Sequence, residues 1–172
     1  VILSAQCTDK RVNQVTPLLF AEADTPQKMA DLPDEKLEKL IYSCGFYKNK
    51  ARQIIELSKI IVEQLDNKVP DTIEELIKFN GVGRKTANLV LAKGFGIPAI
   101  CVDVHVHRIC NRLGYVKTKN PEETEFALRE KLPKKYWLDI NTLLVTHGQN
   151  VCKPQKPMCS ICPIKDYCCK II

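Results

Sequence analysis

The sequence predicts an all-α fold, and three observations carry that expectation. Apolar residues recur at helical spacing in one segment after another, as in Leu37, Leu40 and Ile41, or in Ala51, Ile54, Ile55, Ile61 and Leu65. Cap signals stand where such segments begin: Thr25 before Pro26, Thr72 three residues ahead of Glu75, and Asn120 before Pro121. No segment longer than the run 99–108 alternates with the period of a strand, and that run reads equally as a strand or as the approach to a helix.

In chain order, residues 1–7 are mostly apolar and small and read as a buried helical segment. Thr8 or Asp9 caps the next helix, which places Val12, Val15, Leu18 and Leu19 on one face and meets a kink or break at Pro17. A short helix opens at Thr25-Pro26, and the helix of Leu37, Leu40 and Ile41 stops at Gly45. The longest periodic segment is 47–66. Residues 72–79 follow with Ile73, Leu76 and Ile77 on one face, and then 86–93. Gly96-Ile97-Pro98 is the best domain boundary, dividing 1–98 from 99–172. Beyond it, one helix lies between Asn120 and Pro133, and another spans 136–145 and closes at His147-Gly148.

The 172 residues suffice for one domain or two small lobes with a sizeable core, and 45% apolar content with only 7 glycines excludes a disordered chain. A net charge of +6 from 26 basic residues suits a polyanionic partner without requiring one. No apolar run approaches membrane-spanning length and no leader precedes a cleavage site. The chain starts Val-Ile-Leu without methionine, so the expectation is a fragment lacking its natural N-terminus. Nine cysteines, an odd number clustered towards the C-terminus, point to metal in a reducing compartment rather than a secreted disulfide scaffold.

Two stretches carry chemistry. In Phe79-Asn80-Gly81-Val82-Gly83-Arg84-Lys85-Thr86-Ala87, two glycines turn the chain sharply between helices and let its backbone approach a partner closely. Amides at that turn and at the next helix start suit an anion such as phosphate, which makes a helix–hairpin–helix; a plain helix–turn–helix fits the same residues. Lys85 falls in the first helical turn beside Arg84, where both the dipole and the neighbour disfavour an ammonium. An uncharged lysine is a nucleophile that forms Schiff bases, whereas a lone lysine is by default a solvated charge. The second stretch is Cys152, Cys159, Cys162 and Cys168, spaced C-x6-C-x2-C-x5-C. Thiolates bind zinc or iron, and a single close pair favours a 4Fe–4S cluster over zinc. Cys169 satisfies the spacing as well as Cys168; Cys168 is the expected fourth ligand. Cys7, Cys44, Cys101 and Cys110 read as small core residues.

Asp103 precedes Val104-His105-Val106-His107. On a strand it shares a face with both histidines as a metal site would, and at a helix start it is an N-cap. His147 reads as a packing residue. Lys153 and Lys156, inside the cysteine loop, suit phosphate or plain solvation.

Together these residues resemble the endonuclease III family of DNA glycosylases, within the helix–hairpin–helix superfamily bearing an iron–sulfur cluster. The matching pieces are Leu3-Ser4-Ala5-Gln6-Cys7-Thr8-Asp9, Gly45-Phe46-Tyr47-Lys48-Asn49-Lys50-Ala51, Gly81 to Asn88, Val102-Asp103-Val104-His105 and the four-cysteine loop, in the family's order and across nearly the whole chain. The resemblance implies a two-lobe helical fold, a six-helix barrel carrying the hairpin and a second lobe carrying a 4Fe–4S cluster. It implies a bifunctional glycosylase and abasic-site lyase, a likeness that extends to removal of oxidised pyrimidines from damaged duplex DNA. Lys85 would attack C1′ of the flipped-out nucleotide and cut the strand by β-elimination, with Asp103 assisting. Gln6 would fill the vacated space, Phe46 would wedge into the stack, and Gly81, Val82, Gly83, Arg84, Lys153 and Lys156 would meet the backbone. The alternatives are a uracil- or mismatch-type relative and a non-enzymatic DNA-binding metal module. The expected state is a monomer without a membrane partner, in the cytoplasm or at the nucleoid, or in a eukaryote the nucleus or mitochondrion. Two departures stand out: Asn80 replaces the usual proline of the hairpin, and the family's helix preceding Val1 is absent from this sequence.

Overall fold

The computed structural model describes residues 2–170, and every regular element among them is helical. The chain forms two compact units, one ending at Ala87 and the other beginning at Asn88. The change falls within a helix, ahead of the Gly96-Ile97-Pro98 link.

The first unit opens with a single 3-10 turn, Ile2–Ser4. The helix expected over 1–7 is reduced to this turn because Gln6 takes φ +50°, which a helix cannot continue; Val1 lies outside the described residues. Helix α1 (Asp9–Glu22) follows and runs unbroken through Pro17. The carbonyl that Pro17 orphans belongs to Asn13, and both residues are exposed, so water satisfies it and the expected break does not form. Helices α2 (Pro26–Ala30) and α3 (Asp34–Ile41) pack against the long α4 (Tyr47–Gln64), and α1 packs on α3. Leu19, Ala23, Leu37, Ile41, Cys44 and Ala51 form the fully buried centre. Apolar burial of this kind contributes about 25 cal/mol per Å2 and holds the unit together.

Helix α5 (Ile73–Leu76) is shorter than the expected 72–79. The Thr72 Oγ1 accepts from the Glu75 amide at 3.4 Å and donates to its carboxylate at 2.8 Å, so the N-cap forms while the Glu75 side chain meets the Thr72 hydroxyl rather than its amide. Three-residue bonds from Lys78 to Glu75 and from Phe79 to Leu76 then tighten the chain into the glycine turn. Helix α6 (Arg84–Val90) emerges from that turn and passes into a π turn, Leu91–Phe95, closed by Gly96 at φ +66°.

In the second unit, residues 99–102 are buried and belong to no regular element. Helix α7 (Val104–Arg112) starts at once after Asp103, which resolves the strand-or-helix ambiguity. It packs on α8 (Pro121–Lys131), capped by the Asn120 side chain, and on α9 (Ile140–Asn150). The helix expected over 136–145 thus starts later and runs on through Gly148. That glycine is a packing position: a Cβ there would lie 2.5 Å from Nδ1 of His105, so α9 approaches α7 only because it is absent. Ile100, Val106, Ile109 and Leu128 lie at the centre. The buried Glu125 accepts from Arg129 at 2.9 Å, and Arg129 donates to Asn88 at 2.9 Å.

Candidate active site and cluster loop

The two hairpin glycines differ in why they are glycine. Gly81 has φ +82°, and a Cβ there would come within 2.6 Å of the Gln53 side chain. Gly83 is outside the left-handed region, and an added Cβ would meet nothing within 4 Å. The Val82 amide donates to the Phe79 carbonyl at 3.0 Å, so it closes the turn. Its side chain is buried. Gly83 accepts from the Ala87 amide at 2.9 Å and thereby starts α6. Lys85 is exposed in the first turn of that helix, while Ala87 and Asn88 are fully buried. Asn80 donates to Glu56 of α4 at 3.2 Å, a tether in place of the rigidity that proline would bring.

Asp103 is half-buried and caps α7: its Oδ1 accepts from the amides of His105 and Val106, each at 2.9 Å. The histidines diverge, as residues two apart on a helix must. His105 Nδ1 meets Arg108 at 3.1 Å and His107 Nδ1 meets Thr124 at 2.7 Å. The Asp–His–His metal arrangement of the strand reading therefore does not form.

Gln6 and Phe46 stand on adjoining loops. Position 45 touches the Gln6 carbonyl, with 3.2 Å from an ideal Cβ to that oxygen. Both residues hold left-handed backbone, at φ +50° and +58°, which costs a residue with a side chain roughly 1–2 kcal/mol. Phe46 is 66% exposed, an apolar ring presented to solvent on a strained backbone.

Cys152, Cys159, Cys162 and Cys168 line one recess, walled by Ile109, Leu113, Val151 and Met158. All four thiols are free. Among the described residues no three Cys, His, Asp or Glu side chains converge on a single metal ion. Four cysteines lining one recess are the donor set that a 4Fe–4S cluster takes. N–H donors point at two of the sulfurs, Arg112 Nη1 at Cys152 (3.6 Å) and the Lys170 amide at Cys168 (3.3 Å), and the Cys168 thiol faces the Arg112 carbonyl at 3.4 Å. Cys169 is exposed and does not line the recess.

The description of the HhH-GPD superfamily of base excision DNA repair proteins matches residues 1–134, and that of the iron–sulfur binding domain of endonuclease III matches residues 152–168. The endonuclease III of Thermotoga maritima is 48% identical over 97% of this chain and 78% of its own length. This chain belongs to the endonuclease III family. A solved structure of a trapped endonuclease III–DNA covalent intermediate superposes with a TM-score of 0.92 at 42% identity, covering 98% of this chain and 80% of that one. A thermostable thymine-DNA glycosylase matches at TM-score 0.87 and 24% identity, over 98% of this chain and 80% of that one, and shares the fold. The fold is the two-lobe helix–hairpin–helix glycosylase fold, and the cofactor of this family member is a 4Fe–4S cluster.

Sequence reasoning missed two groups at the cluster recess. Arg112 of α7 donates to the carbonyls of Lys153 (2.7 Å) and Pro154 (2.8 Å) and so fixes the loop between the first two cysteines. Arg108 donates to the Cys152 carbonyl at 2.9 Å, and burial, then the nearby Arg112 charge, hold its guanidinium below its usual range. His147, read as a packing residue, brings Nε2 to 3.7 Å from the Cys162 sulfur. No spacing rule could find the arginines, which precede the loop by some forty residues.

Proposed function

We propose that Lys85 is the nucleophile of a DNA glycosylase and abasic-site lyase that removes oxidised pyrimidines from damaged duplex DNA. The observation that carries this reading is an exposed lysine in the first helical turn behind a hairpin whose Gly83 opens onto free space. Backbone amides at Gly81 and Gly83 hold the phosphate beside the lesion, Arg84 adds charge, and Val82 serves by closing the turn. Lys85 Nζ attacks C1′ as the bond to the base breaks. Loss of a proton from the resulting imine then expels the 3′ phosphate by β-elimination. Asp103, its carboxylate oriented by two amides, takes the lysine proton and stabilises positive charge on the sugar. The pyrimidine preference follows the family resemblance.

Gln6 and Phe46 enter the duplex where the nucleotide leaves, and their strained backbone holds them ready for it. Cys152, Cys159, Cys162 and Cys168 hold the cluster, which supplies a fixed scaffold with no reacting position. Lys153 and Lys156 then present their charges to DNA from a loop held by Arg112. A single chain supplies every group used, so we infer a monomer, working in the cytoplasm where the nucleoid lies. Among the described residues no helix is long and apolar enough to cross a membrane.

Borohydride trapping on duplex DNA carrying one oxidised pyrimidine tests the reading, with Lys85→Ala alongside. A covalent complex from the wild type alone is expected. No complex from folded, cluster-loaded protein would remove Lys85 as nucleophile.

A further inference from the structure

Two thiols outside the cluster loop lie together beneath the Gln6 and Phe46 loops. Cys44 is 1% exposed and Cys7 is half-buried, and both pack into the cluster of Leu3, Ile41 and Ala51. The backbones that carry them are in contact through Gly45 and the Gln6 carbonyl. Burial, then the neighbouring Cys7 thiol, raises the Cys44 thiol above its usual range. The buried Lys50 ammonium opposes that rise. Its Nζ donates to the Leu3 carbonyl at 3.1 Å, so the charge is fixed beside the pair. Core packing alone explains a buried cysteine. It does not explain a second, partly accessible thiol beside it with a cation held close.

We propose that Cys7 and Cys44 form a redox-modification site, a dithiol that a hydroperoxide converts to a disulfide, and that this bond loosens the grip of the neighbouring loops on DNA. The inference rests on the reading of Gln6 and Phe46 as DNA contacts. The partly accessible Cys7 sulfur attacks the peroxide, the O–O bond breaks, and an alcohol or water leaves with the sulfenic acid formed on Cys7. Cys44 then attacks that sulfur and expels water, so two thiols lose two electrons and two protons while one peroxide is reduced. Bonding brings the two sulfurs to about 2 Å. Cys7 adjoins Gln6, and Cys44 lies two residues before Phe46, so the contraction draws the two wedging side chains together. The spacing they need on either side of a flipped nucleotide is then lost.

The test uses full-length, cluster-loaded protein under anaerobic conditions, treated with one equivalent of hydrogen peroxide while visible absorbance confirms an intact cluster. Thiols are blocked with N-ethylmaleimide, and the peptides are mapped by mass spectrometry. A Cys7–Cys44 linked peptide that dithiothreitol releases is expected. Affinity for duplex DNA with an abasic-site analogue should fall about fivefold on oxidation. Cys7→Ser, at the more exposed position, and Cys44→Ala should bind alike before and after peroxide. Recovery of both cysteines as maleimide adducts would overturn the proposal. A linked peptide with unchanged affinity, in a protein that Phe46→Ala weakens, would overturn the control of DNA grip and leave the DNA reading standing. If Phe46→Ala also binds normally, the reading of Phe46 as a DNA contact fails, and with it the coupling.

Discussion

Replacing each hairpin glycine by alanine separates folding from DNA binding. Gly81→Ala places a side chain at φ +82°, a conformation that costs about 1–2 kcal/mol for an L-residue. The 2.6 Å approach to Gln53 adds little, because the contact is the free end of a flexible side chain. For a chain of this size the loss lowers the melting temperature by about 5 °C. Gly83→Ala has neither cost and should change stability by less than about 0.5 kcal/mol. Its methyl group instead occupies the space above the turn. Losing one charge-assisted bond to phosphate is worth about 1.5–3 kcal/mol, so DNA affinity should fall at least about tenfold. Circular dichroism melting and fluorescence anisotropy on an abasic-analogue duplex read the two effects. Wild-type affinity in Gly83→Ala, or a melting loss as large as that of Gly81→Ala, would refute the reasoning.

Gly148→Ala should lower stability by about 1–3 kcal/mol in guanidinium titrations, since its methyl would press on the His105 ring at 2.5 Å and push α7 from α9. Cys110 is buried, and burial pushes its thiol up to about 12 from an ordinary value near 9. The unfolded chain therefore releases this proton first. Its contribution is complete below pH 9 and declines by up to about 1.4 kcal/mol per pH unit as pH rises towards 12. Cys110→Ala should lack that component when the two pH–stability curves are subtracted. Removing the cluster should open the Lys165–Asp166 bond to trypsin, because no side chain from 152 to 168 is buried, whereas Lys153 and Lys156 each precede a proline and resist the enzyme. Arg112→Ala should speed the same cleavage in cluster-loaded protein by releasing the Lys153 and Pro154 carbonyls and loosening the loop.

Local chemistry made much of this molecule legible. The N-cap at Thr72, the proline starts at Thr25 and Asn120, and the period of the long α4 all involve groups within a few residues of one another. Boundaries that depended on distant partners were misread. Pro17 breaks nothing because its orphaned carbonyl faces water, and Gly148 stops nothing because α7 needs the space its side chain would fill.

By itself the sequence determined an all-helical chain, the Gly-x-Gly turn with Lys85 behind it, and four cysteines at cluster spacing. Each is a property of short stretches in which residue type and interval are the whole signal. Only the tertiary structure decided that Asp103 caps a helix and that Gly81 and Gly83 are glycine for different reasons. It alone showed that Arg112 holds the cysteine loop and that Cys7 and Cys44 pack into one apolar cluster. Such facts depend on which distant atoms occupy, or leave open, the space around a side chain, and a spacing pattern carries no record of that space.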